Sequence, residues 1–280
     1  MSHPLLQRPA IDQPPGEYLR AVGVVFAEFG ANMQDSGNIS YGVQIGNERC
    51  FVKTAGLPLD PLPLLDHAGR VALLWNAARL SASVNHPLLP TLMGVIESPV
   101  GPLLVTPWLD GEFLGASRET RDNPQSAFQR FRRLPSATLQ ARLDDVFDLH
   151  MHLAAAGWVA LDFYDGSLLY DFNAGQLWVI DIDMYRAGPF INDMGQMFGS
   201  TRFMAPEEFE RGALIDEQTT VFVMGRTALV FLSDGTLDPE PFRGPQALFD
   251  VARRACEPIR ADRFASMTAL AHAWRAARDV

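Results

Sequence analysis

Asp181 and Asp183 are the clearest candidate metal-binding pair in this sequence. They end the run "VIDID" at residues 179–183, and alternate residues of an extended segment point to the same side. Both carboxylates could therefore face one Mg²⁺ ion, which prefers oxygen ligands. In the alternative interpretation both aspartates are structural, and they must then be paired or exposed because a buried unpaired carboxylate is costly.

Three further stretches carry residues suited to phosphoryl transfer. They are "CFVK" at residues 50–53, "ALDFYDGSLLYD" at residues 160–171 and "GSTRFMAPEEF" at residues 199–209. A lone lysine on an exposed strand is commonly a solvated charge, so the order and spacing of all four stretches carry the argument. In that order they resemble the eukaryotic-type protein kinase family over nearly the whole chain.

The resemblance implies an ATP-dependent phosphotransferase that uses Mg²⁺ or Mn²⁺. It assigns Lys53 to the α- and β-phosphates of ATP and Asp181 to the metal ion. It assigns Asp162 to the acceptor hydroxyl, whose proton this carboxylate would receive during transfer. The alternative for Asp162 is an aspartate that only caps a loop.

The metal site implied by the resemblance departs from protein kinases at two positions. Asp183 stands where protein kinases carry glycine, and in this respect the chain is similar to the aminoglycoside and choline phosphotransferase branch. Ser167 stands where the family carries an asparagine metal ligand. Because a serine hydroxyl has no charge, Asp183 could supply the charge that Ser167 lacks. In the alternative interpretation Asp183 only accepts backbone hydrogen bonds.

Other departures concern the groups that support the site. Ala77 stands where the family has the glutamate that pairs with the lysine, so Lys53 must be positioned differently. Thr220 replaces an aspartate that normally braces the catalytic loop, and we therefore expect another group to brace it. Ala160 and Leu161 replace a histidine and an arginine, which removes the usual anchor for a phosphorylated activation loop.

The resemblance also implies a set of nucleotide-binding residues, which are Gly37, Gly42, Lys53, Thr106, Trp108 and Leu169. The two glycines lie in "DSGNISYGV", which is not G-x-G-x-x-G, and two glycines at a hairpin are usually just a turn. The backbone of Trp108 is the expected partner of the adenine, because Pro107 has no N–H. Phe51 takes the small-residue position against the adenine, so the nucleotide would bind in a shifted pose or weakly.

Three residues are assigned structural roles by the resemblance. Glu207 matches the buried acid of the A-P-E motif, and Arg263 near the C-terminus is its implied ion-pair partner. Ser200 falls at the small hydroxyl position that contacts the catalytic aspartate in the family. Glu207 and Arg263 indicate the fold more than the activity.

The elements that must position these residues change in character along the chain. Alternating β-branched residues and glycines over residues 37–54 predict a small antiparallel sheet, and further strands are expected at 92–96 and 103–106. Apolar spacing near 3.6 residues predicts helices over 70–84 and 139–156. Gly157 stands where a C-cap belongs, and a further helix is expected over residues 216–225.

The sequence thus predicts an α+β, protein kinase-like two-lobed fold. A small antiparallel β N-lobe would span residues 1–106, of which 1–16 form an irregular lead-in. A hinge at 107–110 would connect it to a larger, mainly helical C-lobe at 111–280.

The composition of the chain limits the kinds of partner that it is expected to bind. The formal net charge of -10 argues against nucleic acid, and the run "RFRRL" at residues 130–134 is the one basic candidate. Cys50 and Cys256 stand far apart, which favours a reducing, cytoplasmic setting, and we expect no membrane span. His150 and His152 are interpreted as helix surface or packing, with no carboxylate at a helpful spacing for a metal.

Three classes of function stay open. The first is a kinase of protein hydroxyls, most in keeping with Ser/Thr acceptors and favoured by the A-P-E motif and Ser200. The second is a small-molecule kinase, favoured by the D-x-D pattern and by Tyr164, which replaces a lysine of protein kinases. The third is a pseudokinase, a binding or scaffolding module, favoured by Ala77, Ser167 and Thr220.

Overall fold

The chain has an α+β architecture with a small antiparallel sheet and several helices. The computed structural model describes residues 3–30, 37–58 and 65–278. These residues fall in two compact units, one within Met1–Asn85 and Leu89–Asp110, the other within His86–Leu88 and Gly111–Val280.

The first unit is built on a five-stranded sheet in which all neighbours are antiparallel, in the order β1-β2-β3-β5-β4. The two helices α1 and α2 accompany it. The elements are α1 (Pro15–Val22), β1 (Val24–Phe29), β2 (Ile39–Ile45), β3 (Glu48–Thr54), α2 (His67–Ser83), β4 (Gly94–Ile96) and β5 (Leu103–Pro107). The predicted small antiparallel sheet is confirmed, with strand ends displaced by one or two residues.

The prediction of an irregular lead-in is wrong in part. Pro4–Gln7 forms a 3₁₀ helix, and α1 begins within the stretch interpreted as irregular. Pro4 and Pro15 stand at the first helical positions, where the missing N–H costs nothing. Leu5 is buried in the core of the sheet, and its carbonyl accepts a hydrogen bond from the Tyr18 hydroxyl (2.9 Å).

Helix α2 begins earlier than its apolar spacing predicts, because Asp66 caps it. The Asp66 side chain accepts the Gly69 N–H (2.8 Å), which satisfies a donor that the first turn leaves without an intrahelical partner. Arg70 is buried in this helix and donates to the carbonyls of Ala55 and Leu57 (2.8 Å each). These bonds fix the chain that follows β3 to the start of α2.

The second unit is mainly helical, with short strands between its helices. Its elements are β6 (Glu112–Phe113), α3 (Ala127–Arg132), α4 (Ser136–Ala155), β7 (Trp158–Val159), β8 (Leu168–Asp171), β9 (Gln176–Val179), β10 (Arg186–Ala187), β11 (Phe190–Ile191), β12 (Leu214–Ile215), α5 (Glu217–Leu232), α6 (Gln246–Ala255) and α7 (Met267–Arg278). Strands β6, β8 and β9 form one antiparallel sheet, and β7 pairs with β10.

Helix α5 runs through the core of the second unit and continues past Gly225, where the sequence predicts its end. Nearly every residue of α5 is buried, so its sequence lacks the polar face that would mark its length. A Cβ at Gly225 would lie 2.6 Å from Ala255 Cβ, so glycine here permits the close approach of α6. Within residues 3–30, 37–58 and 65–278, no helix is long and apolar enough to cross a membrane.

Candidate functional site

Asp162 lies in a backbone conformation that non-glycine residues rarely adopt. Its φ is 54°, and it is the one non-glycine residue with positive φ among the described residues. Such a conformation costs about 1 to 3 kcal/mol and persists only when its surroundings hold it. The loop that contains Asp162 follows β7, which is itself tied to β10 by the pairs Trp158↔Ala187 and Val159↔Arg186.

Thr220 braces this loop from the core helix α5. The Ala160 N–H donates to Thr220 Oγ1 (3.0 Å), and both residues are buried. Thr220 thus braces the loop itself at Ala160, and the further group that the sequence leads us to expect at Asp162 is Ser167. A threonine hydroxyl accepts from a backbone N–H as a carboxylate would, without placing a further charge beneath the loop.

Ser167 holds the other end of the loop. Its hydroxyl donates to the Asp162 carbonyl (3.2 Å) and accepts the Tyr164 N–H (3.3 Å), and the residue is fully buried. Its one proton is therefore committed to the loop backbone. A lone pair remains on Ser167 Oγ for a metal ion, so its role as a ligand stays a prediction.

We expect Thr220→Val to weaken the loop. The substitution keeps the volume but leaves the Ala160 N–H without its acceptor, which costs about 1 to 3 kcal/mol in a buried site. Thr227→Val is the matched control, because the Thr227 hydroxyl donates only to the Val223 carbonyl of its own helix (2.7 Å). Chemical denaturation should therefore separate the two variants, and equal free energies of unfolding would contradict the brace.

Asp181 and Asp183 do not lie on one extended segment, which corrects the premise of the sequence prediction. Strand β9 ends at Val179, and Asp183 lies in a turn closed by the Tyr185 N–H on the Ile182 carbonyl (3.2 Å). The turn forms because Ile182 and Tyr185 both enter the core. Asp183 is buried and Asp181 is half-buried, so any metal role of Asp183 depends on this turn rather than on strand alternation.

Tyr185 and His150 form a buried pair behind the loop. The His150 ring has Nδ1 2.7 Å from the Val146 carbonyl and Nε2 2.8 Å from the Tyr185 hydroxyl. Burial lowers the pKa of His150 to about 4, so the ring is neutral near pH 7. Because the carbonyl can only accept, Nδ1 carries the proton, and the Tyr185 hydroxyl donates to Nε2.

Two of the sequence-predicted carboxylates act electrostatically on the same tyrosine. Burial, then the negative charges of Asp162 and Asp181, raise the pKa of Tyr185 well above its ordinary value. Both carboxylates thus act on one buried hydroxyl, although they come from different segments of the chain.

The structure contains the ion pair that the sequence predicts between Glu207 and Arg263. It is bidentate, with distances of 2.7 Å (Oε1 to Nη1) and 2.9 Å (Oε2 to Nη2), and both side chains are buried. Arg260 and the Thr219 hydroxyl also bond Glu207 Oε1 (3.0 Å each). The pair joins the 3₁₀ turn Pro206–Phe209 to the chain before α7.

The segment that precedes Glu207 approaches Asp162. A Cβ built on Gly199 would lie 3.6 Å from Asp162 Cα, so Gly199 lies beside the loop. The carbonyl of Ser200 accepts the Phe203 N–H (2.8 Å), which turns the chain back toward the core. Contact of the Ser200 hydroxyl with Asp162 stays a prediction.

Glu208 is a buried acid that sequence reasoning left without a role. Its Oε2 accepts the Ala205 N–H (2.6 Å), and the side chain is almost completely buried. Burial raises its pKa to about 8, with further raising by Glu207 and Asp162. Glu208 is thus largely protonated in the folded protein at neutral pH.

We expect Glu208→Gln to stabilise the protein near pH 8 and to have little effect near pH 4. The folded pKa is about 8 and the ordinary value is 4.5, so stability is full below pH 4.5 and falls as pH rises toward 8. Glutamine keeps the acceptor for Ala205 and removes the titration, which is worth on the order of a few kcal/mol. Thermal unfolding at both pH values measures it, with exposed Glu210→Gln as control. A difference that does not change with pH would contradict the assignment.

In the first unit, the Gly42 surface carries an aromatic cluster. A Cβ at Gly42 would lie 2.7 Å from the Phe26 ring and 2.8 Å from the Trp108 ring. Phe26 meets Trp108 edge-on (4.8 Å between centroids), and Phe29 and Phe51 lie at 6.3 and 6.4 Å from the same ring. Glycine at position 42 is therefore explained by packing of these rings.

The backbone N–H of Trp108 is already engaged in the structure, and contact of the Trp108 backbone with an adenine stays a prediction. The N–H already donates to the Arg49 carbonyl (2.9 Å), which continues the pairing of β3 with β5 beyond Pro107. A nucleotide would have to use the Trp108 carbonyl or displace this bond.

The other implied nucleotide residues occupy regular positions within their units. Lys53 lies on β3 opposite Ser40 and Leu104, and Thr106 lies on β5 opposite Phe51. Leu169 lies on β8 of the second unit. Their roles stay predictions.

Gly37 has a φ of 75°, and its carbonyl lies against Gly56, where a Cβ would come within 2.2 Å. Glycine is therefore required at both positions by the backbone. Asp35 and Ser36, which the sequence analysis placed in the same phosphate loop, lie outside the described residues.

A second cluster of potential ligands contradicts one sequence expectation. His86, Asp148 and His152 offer ligand atoms within 4.8 Å of one another, so a carboxylate does stand near His152, four residues before it. His152 Nδ1 donates to the Asp148 carbonyl (2.8 Å), and Asp148 Oδ1 accepts from Arg275 (2.8 Å). His86 Nδ1, however, accepts the Leu88 N–H (3.2 Å), which leaves the proton on Nε2 facing Asp148. A metal on His86 Nε2 would require this bond to break.

Sequence reasoning missed Asp165, which is fully buried in the loop after Asp162. One carboxylate oxygen accepts the Ala116 N–H (3.3 Å), and the other is paired with Arg202 of the "GSTRFMAPEEF" stretch. Burial raises the pKa of Asp165, and Arg202 opposes that rise. Spacing gave no signal, because the two partners are 37 residues apart.

Comparison of the chain with models of known protein families, and with curated proteins, found no match.

Proposed function

We propose that this protein is a divergent, protein kinase-like phosphotransferase that moves the γ-phosphoryl group of ATP to a hydroxyl, most in keeping with Ser or Thr of a protein. The observation that carries the proposal is the state of Asp162. It is held at positive φ by bonds on both sides of the loop, and Gly199 of the "GSTRFMAPEEF" stretch lies beside its Cα. Strained residues of this kind cluster at functional sites.

Asp162 is suited to the acceptor. A carboxylate in a rigid loop can orient a hydroxyl and receive its proton as the bond to phosphorus forms. Tyr185 cannot compete for that proton, because its own proton is donated to His150. The buried pair of Tyr185 and His150 therefore takes no part in the proton transfer.

Asp181 and Asp183 have the oxygen donors that Mg²⁺ or Mn²⁺ prefers, and Ser167 Oγ keeps a lone pair. These residues would hold the ion. Such an ion neutralises charge on the β- and γ-phosphates and orients them. The residues fit such an ion by the type of their donor atoms. Asp181 is half-buried just before the turn, and Asp183 is buried within it.

Two observations in the first unit favour the pseudokinase alternative. The aromatic rings against Gly42 and the committed N–H of Trp108 leave the first unit without two of the features expected for adenine binding. A module of this kind would bind partners without turnover. Thr220, in contrast, no longer supports this alternative, because it braces the loop.

The small-molecule alternative keeps the D-x-D argument and Tyr164. Acceptor assays with a generic protein and with small hydroxylated metabolites distinguish it from protein kinase activity. The two cysteines are free and buried, as expected for a reducing compartment, and we propose a cytoplasmic location.

Nucleotide binding tests the proposal without turnover. Calorimetric titration should show ATP binding that requires Mg²⁺ in the wild type and is lost in Asp181→Asn. Metal-independent binding of ATP, equal in both proteins, would favour the pseudokinase. Absence of ATP binding under all conditions would contradict both kinds of nucleotide site.

A further inference from the structure

Four arginines surround one cavity in the second unit, and none of them is among the residues assigned to ATP. The cavity has a volume of about 170 Å³, and its lining includes Arg121, Arg132, Arg202 and Arg226. They come from the loop before α3, the end of α3, the "GSTRFMAPEEF" stretch and α5. Such a convergence is unexpected in a chain with a formal net charge of -10.

The guanidinium groups are held close together. Those of Arg132 and Arg202 lie over the same ring, 5.5 and 5.8 Å from the centroid of Phe128. Arg226 Nε donates to the Arg202 carbonyl (2.9 Å), and Arg132 donates to the Ser233 carbonyl. These bonds fix the cations before any ligand arrives, so little conformational entropy is lost on binding.

Some hydrogen-bond donors of these arginines are unsatisfied within the described residues. The Nε–H groups of Arg121, Arg132 and Arg202 are buried and donate to no atom of the described residues. A buried donor without an acceptor is costly, and three of the arginines that line this cavity carry such a donor.

The charges are also incompletely balanced. Arg202 is paired with Asp165, but Arg121, Arg132 and Arg226 form no ion pair with a carboxylate in the described part of the chain. Two acids, Asp122 and Asp234, stand in the lining and are exposed. The Asp234 Oδ1 accepts the Thr236 N–H (3.0 Å), and the charge of Asp234 balances part of the positive charge of Arg132.

We propose that this cavity binds a phosphate group, either as inorganic phosphate or as a phosphomonoester. A tetrahedral dianion offers several oxygens to donors that approach from different sides, and arginine is the side chain best matched to it. The three arginines of the "RFRRL" run therefore have different surroundings. Arg132 faces the site, Arg130 pairs with Glu112 (2.6 Å), and Arg133 is exposed.

A phosphate bound in this cavity would act on the loop that contains Asp162. The phosphate would share Arg202 with Asp165, which lies in the same loop as Asp162. The proposal does not depend on phosphotransferase activity, because the site is defined by its own donors and is tested without nucleotide.

Calorimetric titration of the full chain with inorganic phosphate, against sodium chloride at equal ionic strength, tests the site. We expect saturable binding by the wild type and binding at least tenfold weaker in Arg121→Gln, whose side chain bonds no other described residue. The control is Arg118→Gln, an exposed arginine of the same loop, which should bind as the wild type does. Circular dichroism confirms that both variants fold.

A second arm titrates O-phosphoserine. Competition with inorganic phosphate supports a phosphomonoester as the source, and binding of inorganic phosphate alone supports the free ion. Absence of saturable phosphate binding by the wild type would overturn the proposal whatever the variants do. Equal affinity in Arg121→Gln and Arg118→Gln would overturn it as well.

Discussion

Asp162→Asn is expected to lower phosphoryl transfer by roughly 10²- to 10⁴-fold, the usual contribution of a positioned general base. Nucleotide affinity should stay within a few-fold of the wild type, because the residue acts on the acceptor rather than on the phosphates. Asparagine keeps the size of the side chain and tolerates positive φ, so the loop should retain its conformation. Steady-state kinetics together with calorimetric ATP titration measure both quantities.

The matched control is Asp171→Asn, at the end of the same stretch of the sequence, residues 160–171. Asp171 Oδ1 accepts the Asn173 and Ala174 N–H groups (2.8 and 3.1 Å), and asparagine can make the same turn. This variant should keep its activity. Wild-type turnover in Asp162→Asn would remove that residue from the reaction.

Asp183→Gly is expected to reduce activity by roughly a hundred- to a thousand-fold. The substitution restores the residue that protein kinases carry but removes a charge that we assign to the metal ion. A metal ion contributes several kcal/mol to stabilising the transition state, and this corresponds to losses of that size when its ligand set is damaged. Activity measured across a range of Mg²⁺ concentrations should show a higher metal requirement in the variant.

Ser167→Asn should recover part of the activity lost in Asp183→Gly, because both positions serve one ion. The double-mutant cycle should therefore be strongly non-additive. The two hydrogen bonds of the Ser167 hydroxyl set a limit to this rescue, since asparagine must fit a fully buried position. Normal Mg²⁺-dependent turnover in Asp183→Gly with Ser167 in place would show that Asp183 only stabilises its turn.

Regular elements could be predicted because burial leaves a periodic trace in the sequence. The alternation over residues 37–54 gave β2 and β3, and the spacing over 139–156 gave α4, whose end is set by Gly157 at a φ of 83°. The trace fails where a helix is buried on all sides, as α5 is, and where prolines begin helices, as they do before and within α1.

The candidate site was predictable only in part, for a physical reason. Asp162, Asp181 and the Glu207–Arg263 pair stand in recognisable stretches, whereas Thr220 and Tyr185 act through bonds to residues far away in the sequence. The Asp165–Arg202 pair is of the same kind. Contacts that tertiary packing creates between distant segments leave no local pattern.

The most direct measurement is transfer of the terminal phosphoryl group from γ-labelled ATP by the purified wild-type protein, with and without Mg²⁺ or Mn²⁺. The account predicts label on the protein itself or on a hydroxyl-bearing acceptor, dependent on the metal and reduced at least about a hundredfold in Asp162→Asn. No transfer to any acceptor in the presence of either metal would contradict it.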